Sequence, residues 1–101
     1  MNIKEAQEIV NRVVSERKWE TPSSDTFIHL VEELGEIARN ILKMKNYGGQ
    51  HTSDSKINLD EELADVFYLL LKLSNENNVD LDKALEKKIE EISKRFPPVN
   101  N

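Results

Sequence analysis

Apolar residues recur along this chain at the three- and four-residue spacing of amphipathic helices, in four successive segments. Trp19 and Pro22 mark a turn after the first segment, and Pro97-Pro98 stop the last one. The pattern predicts helices over residues 3–17, 23–45, 59–76 and 81–96, with one longer polar loop at residues 46–58. We therefore predict a single all-α, four-helix bundle-like domain that covers residues 1–101.

Residues that favour helix N-termini precede three of these helices. Asn2 and Glu5 have capping-box spacing at the first helix, and Asn58 and Glu61 have the same spacing at the third. Asp80 is expected to cap the fourth helix. In this interpretation Glu61 supports a helix start and takes no part in chemistry.

The third helix is apolar around most of its circumference, because it contains the run VFYLLL at residues 66–71. A helix of this kind is buried on more than one side, which a small four-helix monomer can hardly achieve. We expect a homodimer or homotetramer with this helix at or near the subunit interface.

Composition narrows the classes of function. The 101 residues carry a net charge of −5, which argues against broad binding to duplex nucleic acid. The absence of cysteine excludes disulfides, thiolate zinc sites and a cysteine nucleophile. The first residues lack the apolar stretch of a secretory signal, and no segment is long enough to span a membrane. A cytoplasmic location is the simplest expectation.

Two pairs of carboxylates lie inside or beside the apolar faces of consecutive helices. Glu62 falls within the apolar arc of the third helix and Asp65 just past its edge. Glu33 lies at the margin of the second helix's apolar face, with Glu36 one turn further on. If these helices pack antiparallel, the four carboxylates converge and need cations, and oxygen ligands favour Mg²⁺, Mn²⁺ or Ca²⁺. A solvated helix flank is the simpler alternative for any one of them.

Other side chains are candidates for contact with a ligand. Lys88 and Arg95 lie on the inner stripe of the fourth helix, where they can hold phosphates or extend outward to solvent. Trp19, near a turn, can stack on a base or close the end of the bundle, and Tyr68 lies one residue off the apolar arc. Tyr47 and Lys56, on the predicted loop, are candidates to close over a substrate.

The motifs Glu32-Glu33-Leu34-Gly35-Glu36 and Glu62-Leu63-Ala64-Asp65 resemble the E-E-x-x-E and E-x-x-D motifs of the MazG-like branch of the all-α NTP pyrophosphatases. The segment RKWE and the last helix, which ends in basic residues and Phe-Pro, are also similar to that family. The resemblance covers nearly the whole chain.

The resemblance implies Mg²⁺-dependent hydrolysis of (d)NTPs between the α- and β-phosphates, for clearance of unwanted nucleotides, with Mn²⁺ as a possible substitute. It implies dimers or dimers of dimers with pockets shared between subunits. Its metal ligands would be Glu33, Glu36, Glu62 and Asp65. Glu32 or Glu33 would act on the attacking water, and Lys88 and Arg95 would bind the leaving pyrophosphate. Trp19 and Tyr68 are the further substrate-binding candidates.

Three alternatives stay open. The first is a related pyrophosphatase that acts on phosphoribosyl-ATP, dUTP or dCTP. The second is a di-iron carboxylate bundle, although neither carboxylate pair has the histidine that this design requires. The third is a non-catalytic helical interaction module, in which substitution of the carboxylates would leave function intact.

Overall fold

The computed structural model describes residues 1–45 and 54–99, and the side chains of residues 1–45 and 59–99. Its four helices are α1 (Ile3–Arg17), α2 (Ser23–Met44), α3 (Asp54–Glu76) and α4 (Leu81–Arg95). The described residues contain no β-strand, which confirms the predicted all-α fold. Tyr47 and the side chain of Lys56 lie outside the described residues.

The helix ends show which sequence signals were reliable. The Asn2 side chain accepts a hydrogen bond from the Glu5 N–H at 2.8 Å, and Asp80 accepts one from the Lys83 N–H at 3.1 Å, so both predicted caps are confirmed. The predicted start of α3 is wrong, because the helix begins at Asp54, five residues before Leu59. Glu61 therefore lies inside the helix, and the capping role predicted for it does not apply.

α2 and α3 pack against each other along much of their length and run antiparallel. Thr26, near the start of α2, donates a hydrogen bond to Glu76 at the end of α3 over 2.8 Å. Further along, Glu36 of α2 lines the same cavity as Glu62 and Asp65 from the first half of α3. This pairing places the two acidic motifs opposite each other, as the sequence predicted for antiparallel helices.

α1 covers a different side of α3. Val10 and Val14 of α1 form a buried apolar cluster with Leu71 of α3. The buried Gln7 side chain accepts a hydrogen bond from the Leu81 N–H at 3.0 Å and donates one to the Val79 carbonyl at 2.8 Å. These bonds fix the turn between α3 and α4 against α1.

Within one chain α3 is covered by α2 on one side and by α1 on the other, but its Leu63 and Phe67 are exposed. The place of α3 at or near a subunit interface stays a prediction. More apolar surface is uncovered on α2 and α4. α4 packs mainly on α1 and buries none of its residues. The large exposed apolar side chains of α2 and α4 are Phe27, Ile28, Val31, Leu34, Ile41, Leu42, Leu85, Ile89 and Ile92, followed by Phe96 just after α4.

The chain is flat rather than spherical, with extents of 46 × 44 × 25 Å and a radius of gyration of 17.0 Å. A compact domain of this length has a radius of gyration of about 13 Å. No helix in the described part of the chain combines the length and the apolar character needed to cross a membrane.

Candidate functional site

An open cavity of about 310 Å³ lies between α2 and the first half of α3. Its carboxylates are Glu36 from α2 and Glu61, Glu62 and Asp65 from α3. Asparagine and basic side chains of α2 complete the lining: Arg39, Asn40 and Lys43. The helix pairing explains this arrangement, since residues three or four apart on each helix face the same side.

Glu33 belongs to the same acidic group, although it does not line the cavity wall. Burial raises the pKa of the Glu33 carboxyl, the negative charges of Glu36 and Asp65 raise it further, and a hydrogen bond with the Glu36 side chain acts in the same direction. The charge of His29 opposes these effects, and its Nε2 lies 3.3 Å from Glu33 Oε1. We call Glu33, Glu36, Glu62 and Asp65 the carboxylate cluster.

Glu62 is the member whose environment is most unusual. The Oε1 atom of Glu62 is buried and has no hydrogen-bond partner among the described residues. A buried carboxylate oxygen without a partner is costly in free energy. The sequence prediction that Glu62 points inward is therefore consistent with the structure, whereas Asp65 and Glu36 are exposed.

The donor set fits a hard divalent cation. It consists of carboxylate oxygens, which Mg²⁺ and Mn²⁺ prefer, and Glu62 Oε1 is available to bind one. No three acidic, histidine or cysteine side chains in the described part of the chain are arranged as a ready-made metal site. The ligands are present as two pairs on facing helices, so their side chains would have to turn toward a shared ion.

The remaining predicted site residues on α2 and α4 lie outside this cavity. Glu32 is exposed on α2 and does not line it. Lys88 and Arg95 are exposed on α4, where both lie near Glu91, at 3.6 and 3.9 Å. The Arg95 guanidinium also lies over the Phe96 ring. Within one chain, the structure therefore does not bring the basic residues of α4 to the carboxylate cluster.

Trp19 and Tyr68 are brought together at a second cavity of about 410 Å³, which we call the aromatic cavity. Leu69 adds apolar surface to it, and His29 and Lys72 are among its polar lining residues. Because His29 also contacts Glu33, the aromatic cavity adjoins the carboxylate cluster.

Sequence reasoning missed Arg39 and Lys43. Both are exposed on α2, and they follow Glu36 by three and seven residues, which is one face of a helix. That spacing was visible in the sequence. It carried no weight there because exposed basic residues on a helix are common.

The family model for the MazG nucleotide pyrophosphohydrolase domain matches residues 21–100, which include both acidic motifs. The chain belongs to the MazG family. The match confirms the resemblance seen in the two motifs and agrees with the helical fold. It begins at Thr21, so all of α1 and the RKWE segment with Trp19 lie outside it. The comparison with curated proteins returned no match.

Proposed function

We propose that this chain hydrolyses nucleoside triphosphates between the α- and β-phosphates, with Mg²⁺ or Mn²⁺, and releases a nucleoside monophosphate and pyrophosphate. The observation that carries the proposal is the buried, unpartnered Oε1 of Glu62 within a group of four carboxylates on facing helices. Membership of the MazG family supports nucleotide pyrophosphohydrolase activity. The role that we infer is the clearance of unwanted nucleotides in the cytoplasm.

Glu33, Glu36, Glu62 and Asp65 would hold the ion or ions. When bound, Mg²⁺ polarises a phosphate and lowers the pKa of a coordinated water. Glu33 is the better candidate to accept a proton from the attacking water, because it lies within the carboxylate cluster and interacts with Glu36 and Asp65. Glu32, which is exposed beside it, is the second candidate.

Basic residues would stabilise the charge that develops on the leaving pyrophosphate. Arg39 and Lys43 line the carboxylate cavity and can do so from the same chain. Trp19 and Tyr68 would hold the base in the aromatic cavity, next to the phosphates.

Lys88 and Arg95 would reach the site only from a second copy of the chain. The flat shape, the exposed apolar surface of α2 and α4, and the absence of buried residues on α4 support a homodimer, or a dimer of dimers, in which these surfaces meet.

Light scattering should give at least twice the monomer mass of 11.7 kDa. Ile89→Glu should shift the protein toward monomers and lower its activity, and an Ile89→Glu protein that remains oligomeric would contradict this interface.

Product analysis tests the activity. The purified protein is incubated with each NTP and dNTP and with phosphoribosyl-ATP, with Mg²⁺ or with EDTA. We expect monophosphate and pyrophosphate with Mg²⁺ and no product with EDTA. Release of orthophosphate would contradict the proposed cleavage position, and cleavage of phosphoribosyl-ATP alone would change the substrate class. A protein that cleaves none of them would support the interaction-module alternative.

A further inference from the structure

A lysine on α3 is tied to the connection between α1 and α2, which carries Trp19. The Lys72 Nζ donates a hydrogen bond to Thr21 Oγ1 at 2.6 Å, and Thr21 Oγ1 lies 2.9 Å from Thr26 Oγ1. Thr21 follows Trp19 by two residues, with no helix between them. The position of this connection therefore depends on a side chain of α3.

The Lys72 ammonium is fully used by protein groups. It also donates to Thr26 Oγ1 at 3.1 Å and to Glu76 Oε2 at 2.9 Å, and an ammonium has three donors. The residue is buried, and Glu76 supplies the opposite charge. Because no donor is left for a ligand, Lys72 is suited to hold protein groups in place. We call Lys72, Glu76, Thr21 and Thr26 the lysine cluster.

Trp19 is held from its other side by α1. Lys18 adopts a left-handed conformation with φ 56°, and the Trp19 N–H then donates to the Val14 carbonyl at 3.0 Å. The Arg17 guanidinium lies 5.6 Å from the centre of the indole ring. Trp19 is nevertheless 54% exposed, so little packing holds the ring itself. Its position at the aromatic cavity therefore depends on two hydrogen bonds: the one from its own N–H to Val14 and the one from Lys72 to Thr21.

We propose that Lys72 is a positioning residue for nucleoside binding: through Thr21 it holds Trp19 at the wall of the aromatic cavity, where the base stacks. This inference rests on the proposed function. Lys72 acts through Trp19 and takes no part in the cleavage step. Loss of the hydrogen bond from Lys72 to Thr21, which we call the link, should therefore weaken substrate binding and leave kcat nearly unchanged.

The most selective variant is Thr21→Val, because it removes the link and leaves Lys72 bonded to Glu76 and Thr26. Thr21 is exposed, so the fold should tolerate the change. Thr21→Ser keeps the hydroxyl and is the rescue variant. Ser23→Ala is the matched control, because it removes a different bond near the start of α2: Asn77 Nδ2, in the turn after α3, donates to Ser23 Oγ at 2.8 Å.

We expect Thr21→Val to raise KM about tenfold, the effect of losing one hydrogen bond to a charged group, with kcat within about twofold of the parent value. Trp19 is the single tryptophan, so its fluorescence reports directly on the connection. Thr21→Val should shift its emission and increase quenching by acrylamide. Thr21→Ser and Ser23→Ala should have the KM, kcat, emission and acrylamide quenching of the parent protein.

Unchanged KM and emission in Thr21→Val would overturn the proposal. Thr21 itself lines the aromatic cavity, so a raised KM with unchanged Trp19 emission would also overturn it, because it would show a direct contact with the base. So would equal changes in Thr21→Val and Ser23→Ala, because they would show a general loosening of the contact between α2 and α3. If the parent protein cleaves no nucleoside triphosphate, the proposed function fails. The fluorescence comparison of Thr21→Val with Thr21→Ser then still decides whether the link positions Trp19.

Discussion

α2 and α3 meet through two groups of charged side chains, and the two groups are neutralised differently. In the lysine cluster the Lys72 ammonium faces the Glu76 carboxylate and two threonine hydroxyls. The carboxylate cluster contains four acidic groups, and one buried oxygen, Glu62 Oε1, has no partner among the described residues. Glu76 Oε1, in the lysine cluster, is likewise buried without a partner among the described residues, so the two clusters differ in charge: one pairs a carboxylate with an ammonium, and the other gathers four acidic groups.

Burial of like charges without compensation lowers the stability of a fold, and a protein keeps such an arrangement where function requires it. The lysine cluster joins α3 to α2 and to the connection before it, and the Lys72 ammonium lies 2.9 Å from the Glu76 carboxylate. The carboxylate cluster gathers four acidic groups, for which we propose a cation. The comparison therefore contrasts a cluster with its own cation with one that we propose binds a cation from solution.

The largest expected effect concerns turnover. Glu62→Gln or Asp65→Asn should lower kcat/KM on the order of a thousandfold, because each would remove a charged ligand of the ion that we propose stabilises the transition state. Steady-state pyrophosphate release measures this. Glu8→Gln, at an exposed position of α1, is the matched control and should keep full activity. Turnover in Glu62→Gln near that of the parent would remove the functional distinction between the clusters.

The second prediction concerns the lysine cluster. Lys72→Met should lower the free energy of unfolding by about 3 kcal/mol, because it leaves Glu76 largely buried without its cation. The double variant Lys72→Met/Glu76→Leu should recover a large part of that loss. Urea unfolding of both proteins measures these differences. A loss below about 1 kcal/mol in Lys72→Met, the range of a surface ion pair, would show that the cluster contributes little to stability.

The smallest effect separates two neighbours on α3. Glu61 lines the carboxylate cavity but is exposed, whereas Glu62 has the buried oxygen. Glu61→Gln should therefore change kcat/KM by no more than about threefold, within the energy of one exposed charge. Equal losses in Glu61→Gln and Glu62→Gln would mean that burial does not distinguish the ligands from their neighbours.

The helix assignments and the facing of the acidic motifs followed from sequence periodicity, because the angle per residue in a helix is constant. The start of α3 did not, since Asn58 has capping-box spacing to Glu61 although the helix begins at Asp54. The lysine cluster was also missed. Lys72 and Glu76 have helical spacing, but Thr21 lies fifty-one positions from Lys72, and only the packing of the helices brings them together.

The surface that covers the apolar side of α4 could not be predicted from the sequence either. Its apolar stripe was recognised, and Lys88 and Arg95 were placed on the inner side of that stripe. In one chain the stripe is exposed, with Leu85, Ile89 and Ile92 each more than 40% accessible. Periodicity predicts which side of a helix is apolar, but it does not tell which surface, or which copy of the chain, covers that side.

Thermal melting of the parent protein and of Glu62→Gln, each with EDTA and with Mg²⁺, tests most directly whether the carboxylate cluster is a cation site. Mg²⁺ at ten times its dissociation constant should stabilise the parent by about 1.4 kcal/mol per bound ion. Glu62→Gln should melt higher than the parent in EDTA, because it removes charge from the cluster, and should show little shift with Mg²⁺. A Glu62→Gln protein that melts lower than the parent in EDTA, with an undiminished Mg²⁺ shift, would contradict the account and make Glu62 a structural residue.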